Sequence, residues 1–175
     1  LEADVQGVRT LLIAALCAMT ACTQAPAVGA DTPDNPKLTK VLRLVNKERS
    51  KPQKCGVKRF KRAKALRYDA ALSQAAQSHA EDMARNDFFK HVSSDGRTFV
   101  DRISATSYRG DPAGENIASG QQTARQAVRG WMNSPPHCRN IMARSFDAIG
   151  LGFASRQDPR YSTPVTYWVQ DFGYD

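Results

Sequence analysis

Apolar positions along this chain recur first at helical and later at strand spacing. Leu38, Val41, Leu42, Leu44 and Val45 fall near a period of 3.6, and Pro52 lies beyond them, which predicts a first amphipathic helix. Asp69 can cap a second helix that runs to Asn86, with Leu72, Ala75, Ala76, His79 and Met83 on one face. Residues 88–91 (FFKH) read as a short extended exit, and Asp95-Gly96 as a turn. Thr98 with Asp101 opens a brief helix to Ile103. Thr123 with Gln126 forms a capping box for a helix whose face is Ala124, Ala127, Val128 and Trp131, stopped by Ser134-Pro135-Pro136. Residues 137–143 are long enough for one or two more helical turns.

The period then changes. Ile149, Leu151 and Phe153 alternate with Gly150, Gly152 and Ala154, and residues 165–172 (VTYWVQDF) are β-branched and aromatic, so two strands are predicted, antiparallel to each other. Helices precede a β-meander with no βαβ alternation. The class is therefore α+β, an antiparallel sheet covered by helices.

The N-terminus stands apart from this pattern. Residues 11–21 (LLIAALCAMTA) form an unbroken apolar and small run preceded by Arg9, too short to span a bilayer comfortably and read as an export signal over residues 1–22. Met19-Thr20-Ala21-Cys22 resembles a lipobox, with Met19 where Leu is usual, which would make Cys22 a lipidated N-terminus. Val28-Gly29-Ala30 before Asp31 is a competing site of the small-x-small kind. Residues 23–36, rich in Pro, Ala and Asp, read as a linker, leaving residues 37–175 as the folded domain. Membrane contact is expected through the lipid anchor alone; the alternative is a fully released protein. With Cys17 and Cys22 in the signal, the domain keeps Cys55 and Cys138, and in an exported chain these most simply form one disulfide.

Charge sharpens the picture. The chain carries 25 Lys and Arg against 17 Asp and Glu; residues 37–67 hold 13 of those bases and one acid, Glu48, so the remainder is mildly acidic. A basic segment is ordinarily a solvated face. In an exported protein it also suits attraction to anionic lipid headgroups or wall polymers. Nucleic acid is excluded as a partner, because the segment has few interleaved aromatics and the chain is exported.

The candidate chemistry is sparse. Three histidines, His79, His91 and His137, are scattered without an HExxH or HxH pattern, and Glu115 lies in a Gly-Glu-Asn-Ile run. Two imidazoles and a carboxylate brought together by folding would suit a metal or acid–base site.

The strings FFKHVSSDGRTFVDRI, GENIASG, AVRGWMNSPPHCRNIM, AIGLGF and YWVQDFG, in that order, resemble the bacterial branch of the CAP/SCP superfamily, which includes cysteine-rich secretory proteins, insect venom antigens and plant pathogenesis-related proteins. The resemblance implies a three-layer α-β-α sandwich with a central antiparallel sheet and a cleft holding two histidines and two glutamates. It places the histidines on His91 and His137 and one glutamate on Glu115. Ser134 stands where the second glutamate would be, so one general base remains. His79 matches none of the four and reads as structural. Asn116, Trp131 and Trp168 match positions whose implied role is architectural, and the cysteine pair matches a subgroup in which a bridge holds the turn after His137.

The function this resemblance implies is that of an exported envelope protein that binds a lipid or other apolar molecule, or an anionic envelope component. It also implies a weak site for Zn²⁺ or another divalent cation at His91, His137 and Glu115. The alternative implied is a metal-assisted hydrolase of peptides or wall material with Glu115 as its catalytic base. No Ser-His-Asp arrangement is evident.

Overall fold

The computed structural model describes residues 32–174. The export segment, Cys22 and both cleavage sites lie outside the described residues. Helix α1 (Pro36–Arg49) starts with its Asn35 side chain capping Lys37 N at 2.9 Å. The hairpin β1 (Gln53–Cys55) and β2 (Lys58–Phe60) follows, turning at Gly56, whose φ of +64° suits a residue without a Cβ. Then come β3 (Arg67–Tyr68), α2 (Ala70–Asn86), α3 (Phe99–Ser104), β4 (Asp111–Ser119), α4 (Ala124–Asn133), α5 (Pro135–Met142), β5 (Ala148–Arg156) and β6 (Val165–Tyr174).

The caps read from sequence are in place: Asp69 receives Ala71 N and Leu72 N, and both Thr98/Asp101 and Thr123/Gln126 close reciprocal boxes. Residues 88–91 carry no regular element, since Asp87 ends α2 in the left-handed conformation at φ 51°.

Four strands make the central sheet in the order β3-β5-β6-β4, so β4 is an edge. Its main pairs are antiparallel as expected, while the two-residue β3 runs parallel to β5. Neither β3 nor the β1–β2 hairpin was expected from the sequence.

Helices α1, α4 and α5 cover one face, packing Val41, Val45, Trp131, Ile141, Leu151, Trp168 and Phe172 together. Helix α2 covers the other with Ala76, Ala80 and Met83 against Ile117, Tyr167 and Val169, and α3 joins it through Ile103. Three layers result. Gly150 and Gly152 bring β5 against α2: a Cβ on either would collide with the α2 backbone at Leu72–Ser73 or Ala76–Gln77. Both indoles are buried and satisfied, Trp131 Nε1 by Ile117 O at 3.1 Å and Trp168 Nε1 by Gln121 O at 2.7 Å. Cys55 and Cys138 are disulfide-bonded, 83 residues apart in sequence, tying the hairpin to α5.

Candidate functional site

Strand β4 organises the site because alternate residues face opposite layers. Glu115 and Ile117 face α2; Asn116 and Ala118 face α4 and α5. From Glu115, buried at the edge of the sheet, one carboxylate oxygen accepts from His91 Nδ1 at 2.7 Å and the other from the Arg102 guanidinium of α3. A carboxylate only accepts, so the proton of His91 sits on Nδ1 and its Nε2 is left for solvent or a ligand. The His91 side chain is 54% exposed and that of Glu115 only 1%. One end of this pair is wet and the other dry.

Arg102 was not singled out by sequence reasoning, yet it holds the site together. Its Nη1 donates to Ser93 Oγ at 3.0 Å and to the carbonyls of His91 and Arg97, both at 3.1 Å, fixing the loop that presents His91. The signal was a cation at a buried position of α3 beside Ile103.

His79 is completely buried, with Nε2 at 2.9 Å from Lys90 O, Nδ1 at 3.4 Å from Ser93 Oγ, and Glu115 4.0 Å away. Burial pushes its pKa down from the usual 6.5, Glu115 opposing and Arg102 adding to the shift. A neutral ring that donates from Nε2 and accepts at Nδ1 satisfies both contacts. His79 is thus packed directly behind Glu115.

Asp171 was also missed. It lies opposite Glu115 on β6, is fully buried, meets no N–H donor, and has its carboxyl within hydrogen-bond reach of Glu115. Burial pushes its carboxyl well above the ordinary carboxylate range, the neighbouring Glu115 charge adds to this, and Arg102 opposes it. Its signal was positional: Tyr167, Val169 and Asp171 share one face of β6, so an acid occupies an inward-facing strand position.

On the other face, Asn116 Nδ2 donates to His137 O at 3.2 Å and to Gln170 Oε1 at 3.0 Å, while Asn140 Nδ2 donates to Asn116 Oδ1 at 2.9 Å. These bonds pin the first turn of α5, and with it His137, to the sheet edge. Burial lowers the His137 pKa, and the proximity of His91 lowers it further. Ser134 is the joint between α4 and α5 and makes no side-chain cap.

His91 and His137 thus belong to opposite sides of β4, near enough for the charge of one to act on the other. Among the described residues, no three of His, Cys, Asp and Glu form a group able to hold a metal ion. Glu115 does not fit as a direct ligand, because one oxygen is bonded to His91 and the other to a buried guanidinium. It fits as the partner that orients His91 from behind, an arrangement common among metal-binding histidines.

Residues 42–172 match the family described as CAP, the cysteine-rich secretory protein family. In Bacillus subtilis (strain 168), the uncharacterized protein YkwD is 37% identical over 133 residues, which are 76% of this chain and 45% of that protein. The uncharacterized membrane protein YlbC of the same organism is 33% identical over 87 residues, 50% of this chain and 25% of that protein. The chain thus spans less than half the length of these curated relatives. Among solved structures, an extracellular SCP-domain protein from Bacillus anthracis str. Ames is similar with a TM-score of 0.63 at 26% identity, covering 82% of this chain and 45% of that one. An outer surface protein of Borrelia burgdorferi shares the fold at a TM-score of 0.60 and 22% identity, covering 77% of this chain and 89% of that one.

Proposed function

The chain belongs to the CAP family of cysteine-rich secretory proteins, and from that premise we propose that it is an exported envelope protein that binds an amphiphilic ligand at the mouth of the His91–Glu115 site. The observation that carries this reading is the state of Glu115. Both of its oxygens are occupied and its side chain is dry, so it is ill placed to take a proton from water, as a hydrolytic base must. What reaches solvent is His91, with Phe89 and Val92 on either side in sequence, themselves 50% and 45% exposed. Apolar side chains beside a polar imidazole suit a ligand with an apolar body and a polar head.

A divalent cation such as Zn²⁺ binds weakly between His91 Nε2 and His137, with Glu115 holding the His91 ring. Two protein ligands are fewer than most zinc sites use, which sets the affinity low. Export agrees with the disulfide and with the extracellular and outer-surface proteins to which the chain is similar. Among the described residues no helix is long and apolar enough to cross a membrane; the membrane contact in this reading is the lipid on Cys22.

Displacement of a fluorescent long-chain fatty acid tests the cleft. Saturable binding is expected in the wild type, with loss in Phe89→Ser and His91→Ala. Peptide or wall turnover that vanishes in Glu115→Gln would overturn binding in favour of hydrolysis. Calorimetry with Zn²⁺ should show heat that disappears in the His91→Ala/His137→Ala double variant. Cys22→Ala should move the native protein from the membrane to the soluble fraction.

A further inference from the structure

The loop between β2 and β3 looks in sequence like solvated basic filler, yet two buried contacts fasten it. Asn46 of α1 pairs with both backbone groups of Leu66, donating to its carbonyl at 3.0 Å and accepting from its N–H at 2.8 Å. Arg49, wholly buried, donates from Nε to Lys64 O at 2.6 Å. The same guanidinium reaches Ile141 O at 2.7 Å, Ala143 O at 2.8 Å and Phe146 O at 2.9 Å. One side chain thereby joins the basic loop to the segment that follows α5.

Between the joined segments lies a pocket of about 590 Å³ lined by Ser50, Arg62, Lys64, Arg144, Ser145 and Asp147. Arg62, Lys64 and Arg144 are exposed, and none takes part in an ion pair with the acids of the described residues. Asp147, on the same wall, acts electrostatically on Arg49. The pocket is at the far end of α5 from His137, so it is separate from the cleft.

The geometry points to a second binding site here, for a phosphate group carried on a polyol, as in a glycerol-phosphate unit. Two guanidiniums and an ammonium around one concavity match the several acceptor oxygens of a phosphoryl group, and guanidinium forks bind such groups in pairs of bonds. The volume exceeds what inorganic phosphate needs and leaves room for the alcohol portion, with the Ser50 and Ser145 hydroxyls at hand. Because Arg49 and Asn46 already hold the walls, little backbone ordering remains to oppose binding. The surrounding segment, with 13 bases and one acid, would draw an anionic polymer or surface toward the pocket. The two natural carriers of this chemistry are a phosphodiester polymer and a glycerophospholipid headgroup.

The test uses the disulfide-bonded protein and three probes: glycerol phosphate, phosphatidylglycerol vesicles, and phosphatidylcholine vesicles as the neutral reference. Calorimetry and vesicle sedimentation are compared for wild type, the pocket variant Arg62→Gln/Lys64→Gln/Arg144→Gln, and the control Lys47→Gln/Lys54→Gln/Arg59→Gln, which removes the same charge elsewhere on the basic segment. The expected result is glycerol phosphate binding weakened about tenfold or more in the pocket variant and about twofold or less in the control. Retention on phosphatidylglycerol vesicles that follows the same order assigns the lipid headgroup as carrier; soluble binding without retention assigns the polymer. Equal weakening in both variants, equal retention on phosphatidylcholine and phosphatidylglycerol vesicles with no binding of glycerol phosphate, or no binding at all overturns the site. His91→Ala/His137→Ala should bind glycerol phosphate as wild type does, so failure here and failure of the cleft reading are distinguishable.

Discussion

Arg49 and Arg102 are both buried, the first with no exposure and the second with 2%, yet they are partnered in opposite ways. Arg49 gives its hydrogen bonds to four backbone carbonyls and meets no carboxylate within bonding distance among the described residues. Arg102 bonds two carbonyls and a hydroxyl, but its remaining contact is the carboxylate of Glu115, and its Nε has no partner. A guanidinium caged by carbonyls fixes backbone, and its charge does little else. A guanidinium bonded to a carboxylate also acts on the titratable groups around that carboxylate, here His79 and Asp171. Burial alone does not distinguish a rivet from a site; the identity of the acceptors does.

The largest effect that would test this contrast is at Arg102. Replacing it by Leu leaves the Glu115 charge buried without its partner, and urea denaturation should show a loss of about 3–5 kcal/mol. Adding Glu115→Leu should restore much of that, since removing both charges avoids the unpaired one. If the double variant is no more stable than the single, the pair is not what holds this corner.

The Cys55–Cys138 bridge and Arg49 bracket α5 at either end. Changing both cysteines to Ser should destabilise by roughly 4 kcal/mol, because the bridge closes a long loop in the unfolded chain. Arg49→Leu should cost about 2–3 kcal/mol from carbonyls left without a donor, and here no second substitution of an acid should rescue it. Burial pushes the Arg49 pKa down to about 10, so its contribution should stay constant between pH 5 and pH 8. Fatty-acid displacement at the cleft should be unchanged in Arg49→Leu and impaired in Arg102→Leu.

The smallest effect is one of pH. The His79 pKa is lowered on folding, so the unfolded chain binds its proton first on acidification, and stability present above about pH 6.5 is lost as pH falls. His137 shifts in the same direction. Glu115, Arg102 and Asp82 are the charged groups that act on His79. Melting temperature should therefore drop below pH 6.5, and His79→Gln, which can still donate to Lys90 O, should flatten part of that drop. A profile identical to wild type would mean that folding does not shift the His79 pKa. Asp171 works the other way, its raised pKa favouring the folded state at low pH and costing stability as pH rises.

Helices were the most legible part of this sequence, since caps such as Asp69, Thr98 and Thr123 announce themselves through local chemistry. The edge strand β4 was not. Residues 111–119 (DPAGENIAS) contain a Pro, a Gly and one β-branched residue, and only pairing with β6 makes them a strand. The family motifs placed Glu115 and His91 in one cleft, and the two are in direct contact. Arg102 and Asp171 had no motif of their own, and their meaning depends on which residues lie opposite them across the layers. The fastening of the basic loop was equally invisible, because a guanidinium bonded to carbonyls from remote segments leaves no periodic trace.

The irregularity in β4 at Pro112–Gly114 has a genetic corollary. Side-chain direction along a strand reverses with every residue, so gaining or losing one residue after that irregularity would exchange the environments of Glu115 and Asn116. The acid would then meet Asn140 and the carbonyl of His137, and the amide would meet Arg102. Both environments would change chemistry although neither residue had been substituted. An insertion placed before Pro112, in contrast, could be taken up by the existing offset. Tolerance to length change should therefore drop abruptly at this point in the chain, which a scan of single-codon insertions across residues 109–117 would reveal.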